Sequence, residues 1–153
     1  MSITSVQQAG AVAVPRVKTS PNDIGNAVKS FFAQTPAAYA AQAVGQTVDF
    51  GVIPAGSRIL PTGKLSAAAG AASSTLDIGL KNASDGTVID ADGLAVGVNL
   101  TAAGVKDVNG GALVGAGVGY VTPVDVIVYG TFAGATNTAN QQFCLNLEYI
   151  TGF

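Results

Sequence analysis

Residue types that carry much of protein chemistry are scarce in this sequence. It contains no histidine, no tryptophan and one cysteine, and only 10% of its residues are charged, against about a quarter in an average domain. Without histidine, general acid–base and metal-assisted schemes lose the side chain that they use most often. A serine or threonine nucleophile would need a lysine as its base, and no catalytic motif surrounds Lys29-Ser30 or Lys64-Leu65-Ser66. The sequence therefore predicts no enzyme activity and no catalytic, cofactor-binding or metal-binding residues.

The single cysteine and the distribution of apolar residues exclude further classes. Cys144 has no second cysteine to pair with, and its place in a strand-like run predicts a small buried hydrophobic side chain. No apolar run approaches the ~18 residues that a membrane-spanning helix needs. The first residues, MSITSVQQAG, lack the pattern of a secretory signal. We therefore expect no membrane partner and no disulfide framework.

The few charges are distributed unevenly along the 153 residues. Residues 1–64 carry five basic residues against two acidic ones, and residues 65–153 carry two basic residues against seven acidic ones. The basic residues are too sparse for the dense stripe that binds nucleic acid. Either the asymmetry suits one face docking on an acidic surface, or it is ordinary scatter. A chain this poor in charge favours a protein that packs against other subunits.

The first 25 residues differ from the rest of the chain. Residues 1–25 contain Gly10, Pro15 and Pro21 with few large apolar side chains, so they can contribute little to a core. They are either an extended arm, which becomes ordered on a partner, or a disordered tail. We assign residues 1–25 to an N-terminal arm and residues 26–153 to one β-domain, which is long enough for a substantial core.

Alternation of apolar and polar residues predicts that this domain is all-β. Leu76, Ile78 and Leu80 alternate with polar or small residues, and Pro54-Ala55-Gly56 is typical of a turn between two strands. The predicted strand segments are residues 27–34, 48–52, 57–65 around Pro61, 74–80, 88–89, 94–100, 121–132 and 142–150. Residues 27–34 and the alanine-rich residues 36–44 also have some helical propensity. About eight strands at this spacing indicate an antiparallel β-sandwich or barrel, with a jelly roll as the first choice.

One segment is similar to a metal site. The carboxylates of Asp85, Asp90 and Asp92, followed by Gly93, resemble the start of a calcium loop, because hard cations are bound by several carboxylate oxygens. The bidentate glutamate expected about nine residues later is absent, and aspartate and glycine are also common in β-turns. We therefore predict a solvated hairpin over Asp85–Asp92, in which Asp90–Gly93 separates two strands, rather than a calcium site.

Four segments between Gln46 and Phe132 resemble small head proteins of tailed bacteriophages, called cement or decoration proteins. They are DFGVIPAGSRIL (Asp49–Leu60), STLDIGL (Ser74–Leu80), DADGLAVGVNLTAAG (Asp90–Gly104) and PVDVIVYGTF (Pro123–Phe132). In such sequences an IPAG turn, an L-x-I-G strand and a D-V-x-V-x-G-x-F strand recur over a variable surface.

The resemblance implies a fold, a partner and a place in the virion. The fold would be a jelly roll that binds the major capsid protein, as a homotrimer, on the outer surface of an icosahedral shell. There it would join neighbouring capsomers and stabilise the head against internal DNA pressure. It would be a virion protein made in the host cytoplasm. Many modest contacts repeated by symmetry would add by avidity, and residues 1–25 would add contacts by folding on the partner.

Other functions stay open at the level of sequence. A tail-associated receptor-binding module would share the β-fold, but its loops would carry aromatic or polar residues for glycans, whereas the loops here are rich in alanine and glycine. A secreted carbohydrate-binding domain or adhesin is disfavoured by the missing signal sequence and the missing tryptophan. For any of these functions, Tyr39 and Phe153 at predicted surface tips are candidate interface anchors.

Overall fold

The structure, a computed structural model, describes residues 27–116 and 119–152. The predicted arm over residues 1–25 and the candidate anchor Phe153 lie outside these residues. The elements are β1 (Val28–Gln34), β2 (Thr47–Ile53), β3 (Ser57–Ile59), β4 (Gly63–Ala67), β5 (Thr75–Asn82), β6 (Val88–Asn99), β7 (Gly104–Val108), α1 (Ala112–Gly115), β8 (Val126–Ala133) and β9 (Phe143–Thr151). Within the described part of the chain, no helix is long and apolar enough to cross a membrane.

Two antiparallel sheets form a sandwich. The first sheet has the strand order β1-β9-β4-β7, with β3 also pairing with β9, and the second sheet has the order β2-β8-β5-β6. Every named pair of neighbouring strands is antiparallel. Strands β3 and β4 pair with residues 149–151 and 143–146 of β9, so together they occupy one position in the first sheet.

The strand order identifies the sandwich as a jelly roll. The chain passes from one sheet to the other at every connection except those between β3 and β4 and between β5 and β6. With β3 and β4 counted as one interrupted strand, eight strands form the paired Greek keys that define this fold. The predictions of an all-β domain, a β-sandwich and about eight strands are confirmed.

The core lies between the inner faces of the two sheets. Along β9, Phe143, Leu145 and Leu147 point inward and are buried, whereas Asn146 is exposed. The ring of Phe143 packs edge to face against two other rings. Its centroid lies 6.2 Å from that of Phe50 and 6.1 Å from that of Phe132. Burial of one such side chain contributes about 1.5–3 kcal/mol, so the alternation along each strand decides which face turns inward. The largest fully buried side chains are Phe132, Ile53, Ile59, Leu65, Leu76, Ile78, Leu80, Leu94, Leu100, Leu145, Leu147 and Val108.

Pro61 accounts for the break between β3 and β4. It lies with Thr62 in a two-residue turn, where its missing N–H costs no sheet hydrogen bond. The N–H of Leu60 still donates to the carbonyl of Glu148 at 2.9 Å, which keeps the interrupted strand aligned with β9. A proline in a strand argues for an edge or a bend. Here it forms a bend, because the strand lies inside the sheet rather than at its edge.

The predicted break in β6 is wrong. Residues Asp90–Gly93 do not separate two strands, because β6 runs without interruption from Val88 to Asn99. The register with β5 shifts repeatedly, and residues 91–94 of β6 lie opposite the single residue Gly79. The hairpin turn lies at residues 83–85, within Asn82–Gly86, whose composition is typical of a turn. An irregular strand of this kind satisfies its backbone through long-range pairing, which the turn-like sequence does not reveal.

The glycine- and alanine-rich residues 101–119 contain more structure than the sequence predicted. Strand β7 and helix α1 both lie there, and only Val108 of β7 is buried, so the strand leaves little apolar pattern. Ser66 and Ala67, predicted as loop, continue β4. Strand β8 begins at Val126 rather than residue 121, where Val121 forms an isolated bridge to Arg58. Residues 36–44 form no helix and instead connect β1 to β2.

Candidate interaction surfaces

The outer face of the first sheet is polar along its central strands. Cross-strand pairing places Phe32, Asn146, Lys64 and Asp107 in one row from β1 to β7. Lys64 forms an ion pair with Asp107 in this row. The Ser30 hydroxyl donates to Asn146 Oδ1 at 2.9 Å. These contacts are exposed, and exposed ion pairs contribute little to stability.

Cys144 lies on this same outer face. It is half-buried and has a free thiol, and it pairs with Gln34 on β1 and Ser66 on β4. The prediction of a small buried side chain is wrong, because the inward positions of β9 are taken by its neighbours Phe143 and Leu145 and Cys144 is only half-buried.

The outer face of the second sheet is organised around Tyr129. Its ring is almost fully buried, at 4% exposure, although it points away from the core. Lys81 Nζ lies 5.2 Å from the centroid of this ring and 2.6 Å from Asp49 Oδ1. Burial, and then the negative charges of Asp90, Asp92 and Asp49, raise the pKa of the Tyr129 hydroxyl. The phenol therefore stays protonated at neutral pH.

The irregular part of β6 covers the outer side of Gly79. A Cβ atom at Gly79 would lie 2.1 Å from the carbonyl oxygen of Asp90 and 2.4 Å from that of Ala91. Only a residue without a side chain allows the β6 backbone to pass this close to β5. On its other side, β6 packs against the start of α1. There a Cβ atom at Gly111 would lie equally close to the backbone of Gly93.

The carboxylates of the calcium-like segment are divided between a turn and a strand. Asp85 lies in the turn before β6, while Asp90 and Asp92 lie in β6 itself. Among the described residues no group of three or more acidic or cysteine side chains could hold a metal ion. A hydrogen bond with Asp90 raises the pKa of the exposed Asp92, and slight desolvation and repulsion from Asp90 and Asp77 add to the increase. Two carboxylates therefore share this edge, and neither ion pair found among the described residues includes Asp92.

The fold separates charge between the two sheets. The strands of the first sheet carry four basic residues and two acidic ones, and those of the second sheet carry one basic residue and four acidic ones. The basic residues of the first sheet are Lys29, Arg58, Lys64 and Lys106. The strands of the two sheets thus carry net charges of opposite sign.

Large exposed apolar side chains lie on the edge strands. We call the edge strands β1 and β2, with the loop between them, the β1/β2 flank, and the edge strands β6 and β7 on the opposite side the β6/β7 flank. The first flank exposes Val28, Phe32, Val44 and Val52, and the second exposes Val88, Ile89, Val96 and Val105. Among the described residues only Val124 is a large exposed hydrophobic residue elsewhere.

The flanks were missed in the sequence, although one signal was present. Phe31 and Phe32 are adjacent in a strand, so their side chains point to opposite faces and only one can enter the core. Phe31 packs against the core, and Phe32 is 66% exposed. A doublet of aromatic residues in a strand therefore predicts either a second buried face or an exposed contact.

Polar residues join the loops at the end of the sandwich where β1 finishes. Gln141 is buried, and its Nε2 donates to the carbonyls of Ala68 and Leu100, each at 2.9 Å. Tyr39 packs against the core, and its hydroxyl donates to the carbonyl of Gln141. Burial raises the pKa of this hydroxyl. Tyr39 thus anchors a loop of its own chain, whereas the sequence suggested an interface role.

A small cleft lies beside this network. It has a volume of about 190 Å³ and lies between the β1–β2 loop and the end of the core. Its lining includes Pro36, Tyr39, Val48 and Phe143, and is mainly apolar.

Comparisons with solved structures identify the fold. This chain aligns with a chain in the capsid of Ralstonia phage GP4 over 91% of its own length and 93% of that chain, with a TM-score of 0.66 and 18% identity. It aligns over 99% of its length with 100% of a chain in the capsid asymmetric unit of cyanophage Pam1, with a TM-score of 0.54 and 16% identity. The chain has the fold of proteins in phage capsids. The resemblance inferred from the sequence is thereby confirmed at the level of the fold. No protein-family model and no curated protein sequence matches this chain.

Proposed function

We propose that this chain is a structural protein of a phage virion, which binds the outer surface of the capsid and cements neighbouring capsomers. The observation that carries this proposal is the alignment with a chain from the capsid of Ralstonia phage GP4, which includes 91% of this chain and 93% of that one. The alignment spans nearly all of both chains, so the similarity is not confined to a short segment of the jelly roll.

The surfaces of the molecule support a role in assembly. Two opposite flanks expose apolar side chains, and the two sheets differ in charge, so the sandwich offers several distinct contact areas. Each area is modest, but contacts repeated on a symmetric lattice add by avidity. A cementing protein needs such contacts and no catalytic chemistry.

The proposal includes partners and a location. The chain would bind the major capsid protein as a homotrimer, at positions where neighbouring capsomers meet. It would be made in the host cytoplasm and would end on the surface of the virion. Residues 1–25 would extend from the start of β1 and lie on the shell as an arm. Ordering such an arm costs conformational entropy, so it contributes only if it buries enough surface.

Cryo-electron microscopy of the particle that carries this chain tests the proposal. We expect jelly-roll density over the junctions between capsomers, repeated by the symmetry of the shell. Particles that lack the chain should release their DNA at a lower temperature than complete particles. Density confined to the tail would instead favour a receptor-binding module, and particles without any density for the chain would refute a structural role in the virion.

Deletion of residues 1–25 tests the arm separately. We expect the truncated chain to keep its melting temperature and to bind shells more weakly, because the jelly roll described here begins after this segment. A matched control replaces Arg16 and Lys18 with glutamine, which keeps the length and removes the basic side chains. If both variants bind shells as tightly as the full chain, the proposal that residues 1–25 bind the shell as an arm is wrong.

A further inference from the structure

Tyr129 carries a hydroxyl group that has no hydrogen-bond partner on the molecule. The residue is only 4% exposed, yet its hydroxyl makes no hydrogen bond with any described residue. Polar groups that are buried to this extent nearly always have such a partner. The hydroxyl oxygen is not completely enclosed, so a group from outside the chain can reach it. The phenol therefore keeps an unused donor and acceptor at the outer face of the second sheet.

Strand pairing places this hydroxyl beside two carboxylates of β6. Tyr129 lies opposite Gly79, and the β6 backbone at Asp90 occupies the space in which a side chain at Gly79 would stand. The irregular part of β6 is therefore the direct neighbour of the phenol. Among the charged groups, Asp90 acts most strongly on the pKa of this hydroxyl, followed by Asp92 and Asp49. The phenol thus faces the segment that carries Asp90 and Asp92.

The other charged groups near the phenol have partners on the molecule. Lys81 Nζ lies above the phenol ring and 2.6 Å from Asp49 Oδ1, so these two charges compensate each other. Asp77 accepts a hydrogen bond from a backbone N–H of β6 at 2.6 Å. Neither ion pair among the described residues includes Asp90 or Asp92. Each of these two carboxylates therefore disfavours the charge of the other, and a cation bound between them would relieve the repulsion.

The chemistry of this site fits an organic cation better than a metal ion. A hard metal ion needs several carboxylate oxygens, and among the described residues no group of three or more acidic or cysteine side chains could hold one. A guanidinium group has five N–H donors in one plane, so it can bridge two carboxylates through charge-assisted hydrogen bonds. An ammonium group has all three donors on one atom and matches two separate carboxylates less well.

We propose that Asp90, Asp92 and the hydroxyl of Tyr129 form a binding site for the guanidinium group of an arginine side chain. The two carboxylates accept hydrogen bonds from its N–H groups, and the phenol oxygen accepts one more. The inference deepens the proposed function and rests on it, because the arginine belongs to the assembled virion. Two sources supply the same group, namely the shell protein and Arg16 in residues 1–25 of a copy of this chain.

A small probe tests the site without shells. The probe is N-acetyl-arginine methylamide, and its neutral control is the citrulline analogue, in which an oxygen replaces one guanidinium nitrogen. In NMR titrations of the full chain, the arginine probe should shift the amide signals of residues 90–92 saturably, and the citrulline probe should leave them unchanged. The affinity for the arginine probe should fall at least about tenfold in Asp90→Asn/Asp92→Asn, and it should also fall in Tyr129→Phe. A wild type without a saturable shift would overturn the site.

Sedimentation with shells tests whether the virion uses the site. Asp90→Asn/Asp92→Asn should bind shells at least about tenfold more weakly than the wild type. The matched control is Asp85→Asn/Asp107→Asn, which removes two exposed carboxylates outside the site and changes the net charge equally. We expect the control to bind like the wild type. The site variant should keep or raise its melting temperature, because it removes a repulsion, so weaker binding would not follow from unfolding.

The Arg16→Gln variant identifies the source of the guanidinium group. If it loses as much shell binding as the site variant, the arginine is that of residues 1–25, and unchanged binding assigns it to the shell protein. A site variant that binds shells as tightly as the wild type would overturn the use of this site in the virion. A wild type that does not bind shells would instead refute the proposed function, while the probe titration still decides whether the site binds guanidinium.

Discussion

Replacing the buried Gly79 with alanine should destabilise the protein strongly. The Cβ atom would lie 2.1 Å from the carbonyl oxygen of Asp90 and 2.4 Å from the carbonyl oxygen of Ala91. Ordinary contacts between such atoms need about 3.5 Å, so the β6 backbone must move away by more than about 1 Å. The colliding atoms belong to the backbone, and no side-chain rotation can relieve the overlap.

The size of the effect follows from what must move. Forcing an extra methyl group into a packed site costs about 1–3 kcal/mol, and each backbone hydrogen bond lost between β5 and β6 costs about 1 kcal/mol more. We expect a loss of about 3 kcal/mol in the free energy of unfolding. For a chain of this length, that corresponds to a decrease of roughly 6–12 °C in melting temperature.

Urea unfolding followed by circular dichroism measures this loss. The control is Gly110→Ala, since Gly110 is exposed and a Cβ atom there has no neighbour within 4 Å. We expect the control to change the free energy of unfolding by less than about 0.5 kcal/mol. If Gly79→Ala unfolds within 1 kcal/mol of the control, β6 does not cross Gly79 as described, and the explanation of the irregular strand is wrong.

Three further predictions concern the polar groups. Gln141→Ala should lower the free energy of unfolding by about 2 kcal/mol in urea titration, because the buried carbonyl of Leu100 loses its donor, as does the more exposed carbonyl of Ala68. The neighbouring control Gln142→Ala should cost less than about 1 kcal/mol. Asp92→Asn should raise the melting temperature at neutral pH, because the raised pKa of Asp92 means that its charged form destabilises the folded state. The difference in melting temperature between variant and wild type should vanish below about pH 4, where the wild-type carboxyl is protonated. A difference that stays constant across pH would contradict this prediction. Burial and nearby carboxylates raise the pKa of Tyr129, so the stability of the protein should fall above about pH 10, where this tyrosine ionises in the unfolded chain. In Tyr129→Phe the melting temperature should decrease less steeply with alkaline pH. An unchanged dependence of melting temperature on pH would contradict this prediction.

Much of the jelly roll could be predicted from local patterns. The alternation of Leu76, Ile78 and Leu80 placed β5, and the alternation from Phe143 onward placed β9, because burial of one face requires apolar residues at every second position. Pro61 located the interruption between β3 and β4. The regular spacing of strands and turns then indicated a sandwich with jelly-roll connections.

The surfaces proposed here as contacts could not be predicted in the same way. Strand β7 has one buried residue, Val108, and is formed because β4 offers it an edge to pair with. The passage of β6 over Gly79 depends on two segments that meet only in the folded chain. The exposure of Val52, Val96 and Val105 depends on the position of each strand at an edge, and an isolated strand sequence does not report which neighbour it will have.

Local patterns were enough to predict an all-β domain with little charge, because alternation and composition are properties that every folded arrangement of this chain must satisfy. Tertiary structure alone decided which strands became edges, which sheet gathered the acidic residues, and where apolar side chains were left without partners. The physical reason is that antiparallel pairing joins residues more than a hundred positions apart, such as Phe32 and Asn146. A surface is defined by such pairs, and no single segment of the chain contains one.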